Sequence, residues 1–203
     1  AVAQSGVSSK DIIGIGLDFT SCTMLPVDEN NVPLCLLVKN VSRPHAWVKL
    51  WKHHGAQKQA DEINELLKKR GEIDNIQFGG KISSELLLPK ILQIVEEDPE
   101  LYDEAASFLE VGDWLTQILT NGRKRSGNLA GYKAMWTPET GYPSKDFLLQ
   151  LSPKLENLTE DKLGDDITLA GQPVGYLTED WAKELGLCAG IPIATAVIDS
   201  HAG

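Results

Sequence analysis

The stretch Ile191-Pro192-Ile193-Ala194-Thr195-Ala196-Val197-Ile198-Asp199-Ser200-His201-Ala202-Gly203 decides the reading of this chain. An apolar run rich in β-branched residues ends in the carboxylate of Asp199. Small and polar residues follow, of the kind that open a turn or a helix. The run predicts a buried strand. Open α/β sheets carry their chemistry just beyond the carboxyl ends of such strands. Asp199 therefore has two readings. As an N-cap it binds the free backbone N–H groups of a following helix. As a general base it takes a proton from a substrate hydroxyl. Spacing alone leaves both open.

Upstream, strand and helix signals alternate. Residues 12–17 are apolar with two glycines and predict a strand ending at Asp18. Met24–Val27 predicts a second strand and residues 33–38 a third. Asp28-Glu29-Asn30-Asn31 between them predicts a hairpin turn. After Pro44 the pattern turns helical through Ala46, Val48, Leu50 and Trp51. Ala60, Ile63, Leu66 and Leu67 recur at helical spacing within Gln57–Arg70, with Gly71 as the stop. Phe78-Gly79-Gly80 reads as a break. Ser83 or Ser84 is expected to cap a helix over residues 86–95, with Pro89 in its first turns. Pro99-Glu100 opens another helix, and residues 108–111 predict a strand. Asp113 is expected to cap a helix through Trp114, Ile118 and Leu119. Residues 123–150 read as loop-rich. Pro173-Val174-Gly175 reads as a short turn or strand, and Thr178 caps a helix over Glu179–Leu185 ended by Gly186. The alternation predicts an α/β fold. The early hairpin makes its sheet mixed, with flanking helices. A boundary falls between residues 186 and 190, where the last strand starts.

A chain of 203 residues suits one sizeable domain, or one domain plus a piece of another. Its 42% hydrophobic content is that of an ordinary globular protein. A net charge of −10 argues against nucleic acid and anionic membrane as partners, since both need a basic stripe. Cys22, Cys35 and Cys188 lack CxxC or metal-ligand spacing and read as free thiols of a cytoplasmic protein. No apolar run reaches the roughly 18 residues that span a bilayer. Ala1-Val2-Ala3 has no signal-peptide flanks. There is no GxxxxGK[ST] loop, HExxH motif or Cys/His cluster, so no metal ligand is singled out. Gly14-Ile15-Gly16-Leu17-Asp18-Phe19 lacks the third glycine of a dinucleotide fingerprint. Those glycines read as close packing in a strand.

Two further clusters carry candidate chemistry. In Trp51-Lys52-His53-His54, a tryptophan offers a flat apolar face to the C–H side of a sugar, with polar neighbours for hydroxyls. The competing reading is a half-buried tryptophan on a helix. Lys133 ends the glycine-rich segment Ser126-Gly127-Asn128-Leu129-Ala130-Gly131-Tyr132-Lys133. It either reaches into a cleft or faces solvent, as most loop lysines do.

Several segments, in order, resemble the FGGY family of carbohydrate kinases, and within it the ribulokinases. They are residues 14–23, Leu50-Trp51-Lys52-His53-His54, Phe78-Gly79-Gly80-Lys81-Ile82-Ser83-Ser84-Glu85 and Gly112-Asp113-Trp114. Ala130-Gly131-Tyr132-Lys133-Ala134-Met135-Trp136, Pro173-Val174-Gly175 and Asp199-Ser200-His201-Ala202-Gly203 complete the set. The resemblance implies part of an actin-like, ribonuclease H-like kinase of two domains. Residues 1–188 would be most of the N-terminal sugar-binding domain without its first hairpin. Residues 189–203 would be the first strand of the C-terminal ATP-binding domain. It implies ATP and Mg²⁺ as cofactors of the full-length enzyme, held mostly outside this chain, and a ketopentose as substrate. Ribulokinases phosphorylate the 5-hydroxyl of L-ribulose in arabinose breakdown. Asp199 matches the family's general base. Ser21 (through its backbone), Trp51 and Lys133 match positions lining the sugar pocket. Asp18 ends a strand but does not match the base. Where many members have Trp-x-Asp-x-Arg, this chain has His53 and Gly55, as ribulokinases do. The chain on its own is expected to be an inactive internal fragment, and exposed strand edges leave a homo-oligomer open. The alternatives are a kinase for D-ribulose, ribitol or xylulose, and a noncatalytic sugar-binding module.

Overall fold

A computed structural model describes residues 2–72 and 80–202. In chain order its helices and strands are α1 (Val2–Ser5), β1 (Asp18–Phe19), β2 (Met24–Val27), α2 (Gln57–Arg70), α3 (Leu87–Glu97) and α4 (Pro99–Glu104). Next come β3 (Ser107–Glu110), α5 (Val111–Thr120), β4 (Arg125–Ser126), α6 (Gly127–Lys133), α7 (Lys145–Leu151) and β5 (Ile167–Thr168). The last are β6 (Pro173–Tyr176), α8 (Glu179–Leu185), β7 (Pro192–Ala194), β8 (Val197–Ile198) and α9 (Asp199–Ala202). β1 pairs parallel with β8, and β4 with β5. β2 pairs antiparallel with β3, and β6 with β7. The expected α/β class with mixed pairing is what forms.

The first expected strand begins later than its apolar run. Ile13 is exposed. The ladder starts at Ile15, whose N–H donates to Pro192 and whose carbonyl accepts from Ala194. It continues through Leu17, which accepts from Val197, into β1. Ile12 to Gly14 join no strand ladder, because the facing segment pairs only from Pro192 onward. The expected hairpin fails for a related reason. The turn itself forms, with the Asp28 Oδ1 accepting from the N–H groups of Asn30 and Val32. Pro33 then makes only one bridge to Val27, and the chain curls into 3₁₀ turns at Leu34–Leu36 and Val38–Asn40. Those turns bury Leu34 and Cys35. β2 finds its ladder partner in β3 instead, with Met24 opposite Glu110.

α2 ends as expected at Gly71, which adopts φ +68°. That left-handed conformation strains any residue with a Cβ. The helical reading after Pro44 holds only for a 3₁₀ turn at Pro44–Ala46. Lys49 and Met24 then exchange backbone hydrogen bonds in a single bridge to β2, and Trp51 lies in a turn. α3 has Leu86, not Ser83 or Ser84, at its N-cap, and Pro89 sits in its first turn. Phe78 and Gly79 lie outside the described residues. Asp113 does not cap α5. It sits inside the first turn, and its Oδ1 accepts from the Ser126 N–H at 2.7 Å. Thr178 holds the N-cap position of α8 without a side-chain bond. Residues 123–150 are more ordered than read. The hydroxyls of Ser126 and Ser144 accept backbone N–H groups at the starts of α6 and α7, which is ordinary N-capping.

The main core packs α2, α3, α4 and α7 over β2 and β3, with Ile63, Ile91, Ile94, Leu101 and Phe108 at its centre. A second cluster, including Leu119, Val174 and Ile193, joins α5 to β6 and β7. Gly112 lets α5 approach the last strand. A Cβ there would lie 2.9 Å from that of Ala196. This contact places the run ending in Asp199 against α5 and α6.

Candidate functional site

Four elements converge on one region. The first is the turn Thr20–Thr23 between β1 and β2, where the Thr20 and Thr23 hydroxyls lie 2.7 Å apart. Ser21 is buried, and its hydroxyl has no hydrogen-bond partner. Cys22 is fully buried with φ +58°. Burial pushes its thiol up to about 12, so it is an inert thiol. The second element is the Leu50–His54 turn. Trp51 is 43% exposed. His53 turns inward to Gln93 at 2.9 Å, and burial lowers its pKa. A Cβ on residue 55 would come within 2.9 Å of the His53 ring. The glycine there and the inward histidine therefore go together.

The third element is the end of α6. The Lys133 ammonium is 3.1 Å from Glu85, and the other Glu85 oxygen is 3.9 Å from His54 Nε2. Glu85 thus lies between Lys133 and His54, three residues beyond Trp51. The fourth is the end of β8. Asn128 of α6 accepts from the Ile198 N–H at 2.9 Å and lies 3.1 Å from His201 Nδ1. The Tyr132 ring meets His201 edge-on at 5.1 Å. Asp199 is exposed, and its Oδ1 accepts from the Ser200 N–H at 2.8 Å. It is the first residue of α9, so a cap-like bond and an open carboxylate coexist. Asp18 is exposed too, paired opposite Val197.

Beneath these walls lies a buried layer of ionisable side chains, Lys90, Glu110, Asp113 and Arg125, of which the sequence reading singled out only Asp113, as a helix cap. Lys90 was visible as a lone charge inside the apolar run of α3, and Glu110 as an acid ending an apolar strand. Burial lowers the Lys90 pKa. Burial, and then the nearby Asp113, push Glu110 up to about 8. Burial pushes Asp113 up to about 6, against the pull of Arg125 and the Ser126 N–H. A cavity of about 550 Å³ lies elsewhere, between Leu67, Ile82, Trp136 and Phe147. It holds none of the four sequence-predicted site residues.

One prediction concerns Ser21. A buried hydroxyl without a partner forfeits its hydration, which costs about 1–3 kcal/mol. Ser21→Ala is expected to raise the stability of the domain by about 1 kcal/mol, read as a higher Tm. A clear fall in Tm would mean that the hydroxyl is satisfied.

Among the described residues no helix is long and apolar enough to cross a membrane. The N-terminal domain of the FGGY family of carbohydrate kinases matches residues 1–203. The chain is 50% identical over 198 residues to a ribulokinase of Bacillus licheniformis, covering 98% of this chain and 36% of that protein. It is 48% identical over 199 residues to a ribulokinase of Halalkalibacterium halodurans, covering 98% and 35%. The chain thus spans about a third of the length of these relatives. Its fold superposes on a xylulose kinase from Bifidobacterium adolescentis with a TM-score of 0.71 at 12% identity, covering 98% of this chain and 44% of that one. That likeness carries the actin-like, ribonuclease H-like architecture, of which this chain holds a part. Its sequence and its fold agree, and the chain belongs to the FGGY family of carbohydrate kinases.

Proposed function

We propose that the full-length protein carrying this chain phosphorylates L-ribulose to L-ribulose 5-phosphate, with ATP as phosphoryl donor. The observation that supports it most is the linkage around Lys133: Glu85 lies between its ammonium and His54 of the Trp51 turn, and Asn128 ties the Asp199 segment to the Lys133 helix. The indole of Trp51 suits the C–H side of a ketopentose. The Lys133 ammonium suits its hydroxyl or carbonyl oxygens. Asp199 takes the proton of the 5-hydroxyl as that oxygen bonds to the γ-phosphorus and the bond to ADP breaks. Phosphoryl transfer asks mainly for such positioning. Among the described residues no three His, Cys, Asp or Glu side chains gather to hold a metal ion. Mg²⁺ therefore stays an expectation for the rest of the protein, and no step here runs through it.

The division at residue 188 belongs to the same proposal. Residues 189–203 would begin the ATP-binding domain while pairing through β7 and β8 with the sugar-binding one. The test of the reaction is an ADP-release assay on the full-length protein with L-ribulose, D-ribulose, ribitol and D-xylulose. The highest kcat/KM is expected for L-ribulose. An equal preference for D-xylulose overturns the substrate, and sugar binding without ADP release points to a noncatalytic module.

A further inference from the structure

The Thr20–Thr23 turn is held from inside by two enclosed ionisable side chains, Lys90 and Glu110. The Cys22 N–H donates to Glu110 Oε2 at 2.6 Å. The Cys22 carbonyl accepts from Lys90 Nζ at 2.5 Å. The same ammonium donates to the Leu50 carbonyl at 3.0 Å. Lys90 is 0% exposed and Glu110 4%. Both peptide groups of Cys22 are thus gripped, and Cys22 is a non-glycine residue at φ +58°. Such a conformation costs of order 1–3 kcal/mol and persists only where its surroundings over-determine it. Burying a lysine is also costly unless it is fully bonded. A core helix position such as 90, between Pro89 and Ile91, would be filled more simply by leucine. What Lys90 adds is a tie between two backbone segments far apart in sequence, one next to Ser21 and the other next to Trp51.

We propose that Lys90 and Glu110 form a buried clamp that sets the relative position of the Ser21–Cys22 and Leu50–Trp51 walls, and so tunes the affinity for the sugar. The proposal deepens the sugar-site reading above and rests on it. Lys90 and Glu110 are positioning residues. Neither touches the sugar. Lys90 acts through the two carbonyls it bonds, and Glu110 through the Cys22 amide. Loss of the ammonium leaves both carbonyls without their donor and frees the walls to separate. A misplacement of about 1 Å at such a distance from the chemistry weakens function about 10²-fold.

The test uses the full-length protein. Lys90→Met keeps the length of the side chain and removes its donors. It is expected to raise the sugar KM by at least about tenfold while the ATP KM stays put. Glu110→Ala is expected to act in the same direction, and Glu110→Gln, which keeps an acceptor oxygen, to recover most of that loss. Hydrogen exchange gives a readout independent of turnover. In Lys90→Met the amides of residues 20–23 and 50–52 should exchange faster, with α2 unchanged. Equal changes in both KM values, or an unchanged sugar KM in a folded variant, overturn the positioning role. Unchanged exchange in both segments overturns the clamp. Should Lys90→Met not fold, the Glu110 pair decides by the same criteria. A wild-type protein that phosphorylates no sugar overturns the reading of the site instead, and the exchange data still decide the clamp.

Discussion

Asp199→Asn in the full-length protein is expected to lower kcat by about 10²–10⁴-fold, the usual worth of a positioned acid–base group, and to leave the sugar KM nearly unchanged. Asparagine keeps the shape of the side chain and an oxygen able to accept from the Ser200 N–H. It removes the basic oxygen. The two readings of Asp199 then separate cleanly. A group acting only on the transition state lowers kcat and kcat/KM together. A helix cap replaced by asparagine, itself a good cap, leaves both constants where they were. Steady-state kinetics with L-ribulose decide between them. A kcat within about threefold of wild type would remove Asp199 from the chemistry, because acid–base catalysis contributes far more than that.

Arg125→Ala is the substitution with the largest expected effect on stability. Arg125 is buried, and its guanidinium donates to the Phe108 carbonyl at 2.8 Å, the Ser107 hydroxyl at 2.7 Å and the Lys162 carbonyl at 3.1 Å. It therefore satisfies acceptors along the edge of β3 that faces away from β2. It also supplies a positive charge near Glu110 and Asp113. Removing the guanidinium leaves two carbonyls and a hydroxyl without their donor, at about 1–3 kcal/mol for each buried unsatisfied group, or at least about 3 kcal/mol together. Chemical denaturation should show a loss of that order, with Arg125→Lys intermediate, because lysine keeps the charge but not the planar fork. A loss below about 1 kcal/mol, the worth of an exposed ion pair, would mean that solvent reaches the site.

The same layer sets a pH dependence. Glu110 and Asp113 have folded pKa values raised to about 8 and about 6. Between the ordinary carboxylate range and those values the folded state keeps protons that the unfolded chain has lost. Stability therefore falls as pH rises through that window. Denaturation midpoints should be lower at pH 8 than at pH 5, and Glu110→Gln should flatten the difference. A wild-type protein more stable at pH 8 would contradict the assignment.

How much of this was legible in the sequence follows from the range of each signal. The Gln57–Arg70 helix and its glycine stop rest on local periodicity and on one backbone conformation, and both came through. The Pro33 strand failed because strand pairing is a long-range choice. The turn at residues 28–31 formed as read, but β2 found a better partner some eighty residues on, at β3. Trp51 was read on a helix and lies in a turn, because Lys49 is bonded to Met24 rather than to its own neighbours. Among the candidate site residues, Trp51, Lys133 and Asp199 were found by residue type and motif. Glu85, which pairs with Lys133, carried no signal beyond its place in a motif.

By itself the sequence determined the alternation of strand and helix, the acid at the end of the last apolar run and the family, since each is written in neighbouring residues or in an ordered set of motifs. Only the tertiary structure decided that Lys90 and Glu110 bond the backbone of the Cys22 and Leu50 turns. A charge buried in an apolar helix has no local meaning. Its function depends on which carbonyls the fold brings to it, and here they come from Cys22 and Leu50.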